Sequence, residues 1–522
     1  MGRYFVMTAI PYVNGKPHVG HALELVETDV LARHRRQRGD EVRFQTGTDD
    51  NALKNVQGAE AEGITPQKYV ERVASRFLGL RNSLNLSFDD FIKTSSDPRH
   101  TPGVHQLWNA CAERDDFYRK SYSGLYCVGC ETFYAEAELR DGRCPEHGTV
   151  PDLVEENNWF FRLSRYQDQL HELITSDTLR IEPVSRKREV LSFIETGLED
   201  FSASRSMARA RGWGVAVPGD PDQVIYVWFD ALGNYITAPG YGTDEAGFRY
   251  WWDGSDTRVH VIGKGIIRFH AVYWPAMLLS AGVRLPDTIF VHEYLTAGGQ
   301  KISKSAGNAD DPADIATQYG TEALRWWMLR DVARAGDTDY TAERLIARSN
   351  EDLANNLGNL VNRTVSMVNR YRDGRIPDYA ADNPTADMLR LARSDAAVRI
   401  DQSLADFDFR RAVQAVTRIG DEGNRYVEAV RPWDLAKAER KDNADPAALD
   451  AVLAELVATC RDIAEHLQPF LPTAADRITE QCGNNGPEVT QPNPIFPRLQ
   501  AGWRVVNSVS VDSAACPLSP TA

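Results

Sequence analysis

Residues 4–31 read YFVMTAIPYVNGKPHVGHALELVETDVL. Residues 4–9 (YFVMTA) form an apolar run of the length of one strand. Residues 11–17 then bring two prolines, a glycine and an asparagine, which break regular structure. Beyond them Leu23, Val26, Val30 and Leu31 recur at helical spacing, and Gly39 closes that helix. Residues 42–46 (VRFQT) read as a second strand running into Gly47-Thr48-Asp49-Asp50. Strand, loop, helix, strand is a βαβ unit, the building block of a parallel sheet.

A second unit lies far downstream. Residues 258–262 (RVHVI) read as a strand, 266–281 as a helix and 288–295 (TIFVHEYL) as a strand. Two such units so far apart predict one nucleotide-binding sheet split by an insertion. Past about residue 341 the pattern changes: Leu353, Leu357, Leu360, Val361, Val365 and Val368 keep helical spacing, and an all-α bundle is expected. From about residue 481 Pro, Asn, Ser and Gly dominate, and a poorly ordered tail is expected.

A chain of 522 residues is expected to hold roughly two to four domains of about 100–200 residues. With 42% hydrophobic and 25% charged residues it falls among soluble globular proteins. No apolar run approaches the ~20 residues that span a bilayer, so no membrane partner is expected. The N-terminus lacks an apolar stretch ending in a small-residue cleavage site, which points to a cytoplasmic protein. The net charge of −15 argues against RNA binding through bulk charge, so any RNA contact must rest on particular residues. Seven cysteines, an odd number, argue against a disulfide framework and for thiols, some of them on metal.

Three motifs carry chemistry. His18-Val19-Gly20-His21 sits where the first loop enters the first helix, and two histidines three apart lie on one face. Free N–H groups and the helix dipole favour anions there, and imidazole donors can hold a phosphate as its charge develops. Lys301-Ile302-Ser303-Lys304-Ser305 follows the late strand, with Gly298-Gly299 before it, and can form a cationic clamp for a polyphosphate. Each motif alone leaves a plain surface reading open. Cys127-Val128-Gly129-Cys130 and Cys144-Pro145-Glu146-His147 form CxxC followed by CxxH, a spacing suited to tetrahedral S₃N ligation of one structural zinc.

Together, HVGH after the first strand and KISKS after a late one resemble the class I aminoacyl-tRNA synthetases. Over roughly residues 1–475 the chain resembles the methionyl members of that class. The resemblance implies a split Rossmann-like α/β nucleotide-binding domain with a zinc-bearing insertion, plus a C-terminal all-α anticodon-binding bundle. The implied divisions are 1–111 and 223–290 for the catalytic halves, 112–222 for the insertion, 291–345 for the KISKS connector, 346–480 for the bundle and 481–522 for the tail. It implies catalytic roles for His18, His21, Lys301 and Lys304, which with Gly263 would bind ATP. Ala9, Ile10, Tyr12, Asp49, Trp228, Ala231, Tyr235, Ile266 and His270 would hold methionine, Asp49 through its α-amino group. Aromatic faces and edges suit a thioether. Cys127, Cys130, Cys144 and His147 match the family's zinc knuckle, and Asn359, Arg363 and Trp433 its anticodon reader. The implied partners are methionine, ATP with Mg²⁺, and the elongator and initiator methionine tRNAs; a monomer is expected.

Three positions depart from the family. Asn51-Ala52 stand where relatives have His-Gly, and Gly265 stands where they usually carry an aspartate expected to face the nucleotide's ribose. Two readings stay open: neutral drift, with water or a nearby group substituting, and a divergent subtype with a reshaped site, for which Gly265→Asp should tighten ATP use. The alternatives are another class I synthetase, for leucine, valine or isoleucine, a tRNA-independent amino-acid-adenylating paralogue, and a tRNA-binding scaffold with a dead site. Residues 112–222 leave little room for the long editing insertion of the first, Asn359, Arg363 and Trp433 argue against the second, and intact HVGH and KISKS argue against the third.

Overall fold

The computed structural model describes residues 2–129, 132–146, 148–302, 310–378, 384–442, 444–484 and 486–500. Six strands, β1 (Arg3–Thr8), β2 (Glu41–Thr48), β3 (Asp90–Lys93), β4 (Arg180–Glu182), β5 (Thr257–Gly263) and β6 (Thr288–His292), form a wholly parallel sheet. Their order is β3-β2-β1-β5-β6-β4. Val6 pairs with Phe44 of β2 and with Val259 of β5. Successive β1 side chains enter opposite cores, Tyr4 and Val6 on one face, Phe5 and Met7 on the other. Burial on both faces explains the unbroken apolar run that opens the chain.

The chain leaves β1 toward β2 but leaves β5 toward β6. This reversal is a topological switch point, and it opens a crevice beyond the carboxyl ends of β1 and β5. Helix α1 (Val19–Gln37) covers one face, with Val19, Leu23, Val26 and Val30 buried. Helix α2 (Val227–Thr237) lies beside the crevice and buries ten of its eleven residues.

Strand β4 comes from the insertion and completes the sheet's edge, Arg180 pairing with Thr288. Three residues are too few for a periodic signal, so the sequence pattern does not reveal it. The rest of the insertion contains a four-stranded antiparallel sheet in the order Thr132–Tyr134, Phe117–Cys127, Asp152–Phe161, Phe201–Ser202.

The C-terminal half is helical: α3 (Asn359–Arg372), α4 (Asp387–Ala405), α5 (Phe409–Val430), α6 (Pro432–Asp442), α7 (Ala447–Leu467) and α8 (Pro472–Gln481). A Cβ on Gly423 would lie 2.5 Å from Leu360 Cδ2, so this glycine lets α5 approach α3 closely. The bundle meets the parallel-sheet domain at the far end of α1. His34 Nε2 lies 2.8 Å from Asp401, and Gln37 donates to the Glu465 carbonyl. Fully buried Arg325 pairs with Asp29 of α1 at 2.8 Å and donates to the Phe470 and Leu84 carbonyls.

The tail expected from residue 481 is corrected as far as residue 500. Val489, Ile495, Phe496 and Leu499 are buried against the bundle, and Asn350 exchanges two hydrogen bonds with the Leu499 backbone. Four scattered apolar residues fill separate gaps without any period, so composition hides them. Residues 501–522 lie outside the described residues. Among the described residues no helix is long and apolar enough to cross a membrane.

Candidate active site

A cleft of about 1820 Å³ opens at the switch point. That exceeds the roughly 300–1,000 Å³ typical of small-molecule pockets. His18 and His21 stand on its wall at the start of α1. His18 is the N-cap: its Nδ1 accepts from the Gly20 N–H at 3.2 Å. His21 Nδ1 accepts from the His18 N–H at 3.1 Å. The rings stack with centroids 3.7 Å apart and planes 21° from parallel. A Cβ on Gly20 would lie 3.0 Å from the His18 ring, so the small residue between the histidines makes room for the cap. With both Nδ1 atoms accepting, each neutral ring carries its proton on Nε2, and the pair offers donors at a helix N-terminus.

Beneath them lies a buried ion pair that sequence reasoning missed. His292, the last residue of β6, donates through Nε2 to Glu24 at 3.1 Å and through Nδ1 to the Glu293 carbonyl at 2.9 Å. Burial pushes the His292 ring down, but the hydrogen bond and charge of Glu24, with the charge of Glu27, hold it up at about 9. Burial pushes Glu24 above its ordinary value, against His292 and the backbone amides of Ala9 and Gly263. The two shifts favour different charge states for the pair. Both ring nitrogens face acceptors, so we assign the imidazolium–carboxylate form. Glu24 follows His21 by three on the same helix face, a spacing that could have flagged it.

At the carboxyl end of β2, Asp49 is buried and bridges to Tyr12, its N–H donating to the Pro11 carbonyl at 2.9 Å. Gly47 is required there: a Cβ would sit 2.1 Å from the Ile92 carbonyl oxygen. The departing residue Asn51 donates to Asp230 Oδ2 at 2.7 Å, and Asp230 Oδ1 binds His100 Nε2 at 2.7 Å. Asn51 is thereby tied into a buried polar chain that continues from His100 to Thr237.

Of the residues assigned to methionine, Ala9, Ile10, Tyr12, Trp228 and Ile266 line the cleft. Asp49, Ala231, Tyr235 and His270 are buried behind it. Trp228 stacks on Phe269, centroids 3.9 Å apart, and meets Tyr12 edge-on at 6.3 Å. Phe269 was not foreseen. His270 Nδ1–H donates to the Ile266 carbonyl at 3.0 Å, so its Nε2 accepts from the Tyr235 hydroxyl at 2.8 Å. Burial lowers the His270 ring to about 4, so it is neutral at physiological pH.

The KISKS segment begins on a hairpin. Leu295–Ala297 pairs antiparallel with Gln300–Lys301 across Gly298-Gly299, whose φ angles of 60° and 74° favour glycine. Asp339 pins the turn, accepting from Thr296 and from the Gly299 N–H at 2.9 Å each. Ile302 is buried on the cleft's rim. Lys304 lies outside the described residues.

Cys127 ends the strand Phe117–Cys127, and Cys144 heads a tight turn closed by the Gly148 N–H on its carbonyl at 2.8 Å. Both thiols are buried. Cys130 and His147 lie outside the described residues, so no complete set of metal ligands is seen among the described ones. Two buried thiols, one at a strand end and one on a turn, fit a zinc knuckle.

In the bundle, Arg363 lies with its guanidinium carbon 5.8 Å from the Trp433 ring and donates to Glu428 at 2.8 Å. Asn359, one helical turn earlier, contacts Asn424 at 3.4 Å. The three anticodon candidates are half-buried, and Arg363 bridges α3 to Trp433 on α6.

A switch-point crevice with paired histidines at a helix start, joined to a helical bundle, defines a class I synthetase architecture. The family model described as tRNA synthetases class I (M) matches residues 4–149 and 134–365, and the anticodon binding domain of methionyl tRNA ligase matches 376–507. A methionine--tRNA ligase of Brucella suis is 39% identical over 518 residues, 95% of this chain and 98% of the relative. One of Rhizobium meliloti is 40% identical over 522 residues, with the same two shares. The Mycobacterium tuberculosis methionyl-tRNA synthetase in complex with methionyl-adenylate superposes with a TM-score of 0.90 at 38% identity, covering 95% of this chain and 100% of that one. The chain belongs to the methionine--tRNA ligase family.

Proposed function

We propose that the cleft activates methionine with ATP and passes the methionyl group to the terminal ribose of methionine tRNA. In the first step a methionine carboxylate oxygen attacks the α-phosphorus. An oxygen–phosphorus bond forms, the bond to the β-phosphate bridging oxygen breaks, and pyrophosphate leaves. The tRNA ribose hydroxyl then displaces AMP from the adenylate carbonyl. Stacked His18 and His21 direct Nε2–H donors at the phosphate as its charge develops. Lys301 and Lys304 are assigned to the leaving pyrophosphate from their motif, and Gly263 to the nucleotide. Asp49 holds the α-amino group. Trp228, Tyr12 and Ile266, with Ala9 and Ile10 on the same wall, enclose the thioether, and Ala231, Tyr235 and His270 stand behind them. Mg²⁺ would accompany ATP.

Cys127, Cys130, Cys144 and His147 are assigned to one zinc, which would pin the insertion and leave no open position for catalysis. Asn359, Arg363 and Trp433 are assigned to the anticodon, whose bases stack on aromatics and are read at their edges. The observation that carries the reading is the meeting, at one switch point, of the histidine pair with the aromatic wall of Trp228 and Phe269. Methionine-dependent ATP–pyrophosphate exchange tests the first step, and formation of methionyl-tRNA the second.

A further inference from the structure

Gly265 follows β5 at the switch point, and Tyr294 follows β6 by two residues. A Cβ placed on Gly265 would lie 1.8 Å from the Tyr294 hydroxyl oxygen and 3.2 Å from Cζ. The hydroxyl therefore occupies the place where a side chain at 265 would begin. With the ring in this position, only glycine fits at 265. The gain in ATP use expected of Gly265→Asp therefore requires the tyrosine hydroxyl to move aside first.

The ring is held on several sides. The Tyr294 N–H donates to Asp337 Oδ1 at 3.1 Å. Lys264 Nζ donates to the same oxygen at 2.5 Å and lies 4.7 Å from the ring centroid. Glu293, itself bound by Arg186 through two hydrogen bonds of 2.7 and 2.6 Å, holds Lys264 from the other side at 3.3 Å. Lys264 is thus committed to two carboxylates and to the face of the Tyr294 ring, an arrangement that fixes the tyrosine more than it offers a cation.

Tyr294 and Gly265 line the same cleft as His18 and His21. A nucleotide whose α-phosphate rests on the histidines has two directions to extend. The carboxyl end of β2 carries Asp49 and leads to the aromatic wall, the side assigned to the amino acid. The nucleoside is left with the ends of β5 and β6, where Gly263, Gly265 and Tyr294 stand. A ribose there presents vicinal hydroxyls, and a phenol can both donate to and accept from them. We propose that the Tyr294 hydroxyl hydrogen-bonds the ribose of bound ATP and is a specificity-determining residue for the nucleotide sugar. This rests on the proposed activity.

The test is pyrophosphate exchange by the full chain with ATP, 2′-deoxy-ATP and 3′-deoxy-ATP, on the parent and on Tyr294→Phe. Exchange by the parent with methionine and ATP must come first; its failure overturns the activity, not the sugar contact alone. With the parent active, Tyr294→Phe is expected to raise the KM for ATP roughly 3–10-fold with kcat held, the effect of one hydrogen bond. The parent's preference for ATP over one of the deoxy analogues should shrink by the same factor. Gly265→Ala should reproduce that loss by displacing the hydroxyl, and Gly265→Ala with Tyr294→Phe should add little to Tyr294→Phe alone. A raised KM with undiminished sugar discrimination, or an unchanged KM, overturns the proposal.

Discussion

His18 and His21 stack at 3.7 Å while each accepts a backbone N–H on Nδ1, so the cap of α1 and the proposed phosphate-binding pair are the same two rings. Capping and the proposed catalytic role can therefore be separated by substitution. Asparagine is among the best N-caps, so His18→Asn should keep the helix start while removing the Nε2 donor. Its kcat for adenylate formation is expected to fall about 10²–10³-fold, the usual effect of losing one transition-state donor. His18→Ala should lose the same rate and in addition about 1 kcal/mol of stability. Thermal unfolding and exchange assays on the two variants check this; an active asparagine variant would remove His18 from the chemistry.

The ion pair of His292 with Glu24 gives the fold an alkaline limb. The His292 ring is raised in the folded chain from 6.5 to about 9. Its stabilising contribution is therefore fully present below 6.5 and is lost as pH rises through about 9. The parent's melting temperature should fall more steeply than that of His292→Gln between pH 7 and 10. Parallel profiles would mean that the ring is neutral in the fold.

The sheet and the histidine site were legible because their signals are local. Val6 and its neighbours read as a strand, and His18 falls at a loop-to-helix junction. The contacts that finish the site were not, because they join residues far apart in sequence. Glu24 meets His292, Asn51 meets Asp230, and Gly265 makes room for Tyr294. Asn51 was visible only as a departure from the family, and nothing in the sequence signalled that its amide donates to Asp230. Arg180–Glu182 was too short to show a period, and Leu499 too isolated to stand out in a polar tail.

Trp433 sits on α6, on the bundle, with Arg363 5.8 Å and Arg431 5.7 Å from its ring. Trp433→Ala should leave methionine-dependent exchange near the parent rate and raise the KM for tRNA. Loss of one stacking platform corresponds to about 1–3 kcal/mol, roughly 5–150-fold. Equal losses in both assays would identify the tryptophan as a packing residue.

Zinc is checked by elemental analysis of the purified chain, where about one ion per chain is expected from a single four-ligand knuckle. Cys144→Ser should release it and loosen the insertion, because structural metal binding is coupled to local folding. A fully active chain without zinc contradicts the assignment.

The most direct measurement is ATP–pyrophosphate exchange by the full chain over a panel of amino acids, with methionine, leucine, isoleucine and valine side by side. Methionine is expected to drive exchange far faster than any of the others, because the wall built by Trp228, Phe269 and Tyr12 suits an unbranched thioether. Exchange led by a branched aliphatic amino acid, or none with methionine, would contradict the assignment of this cleft.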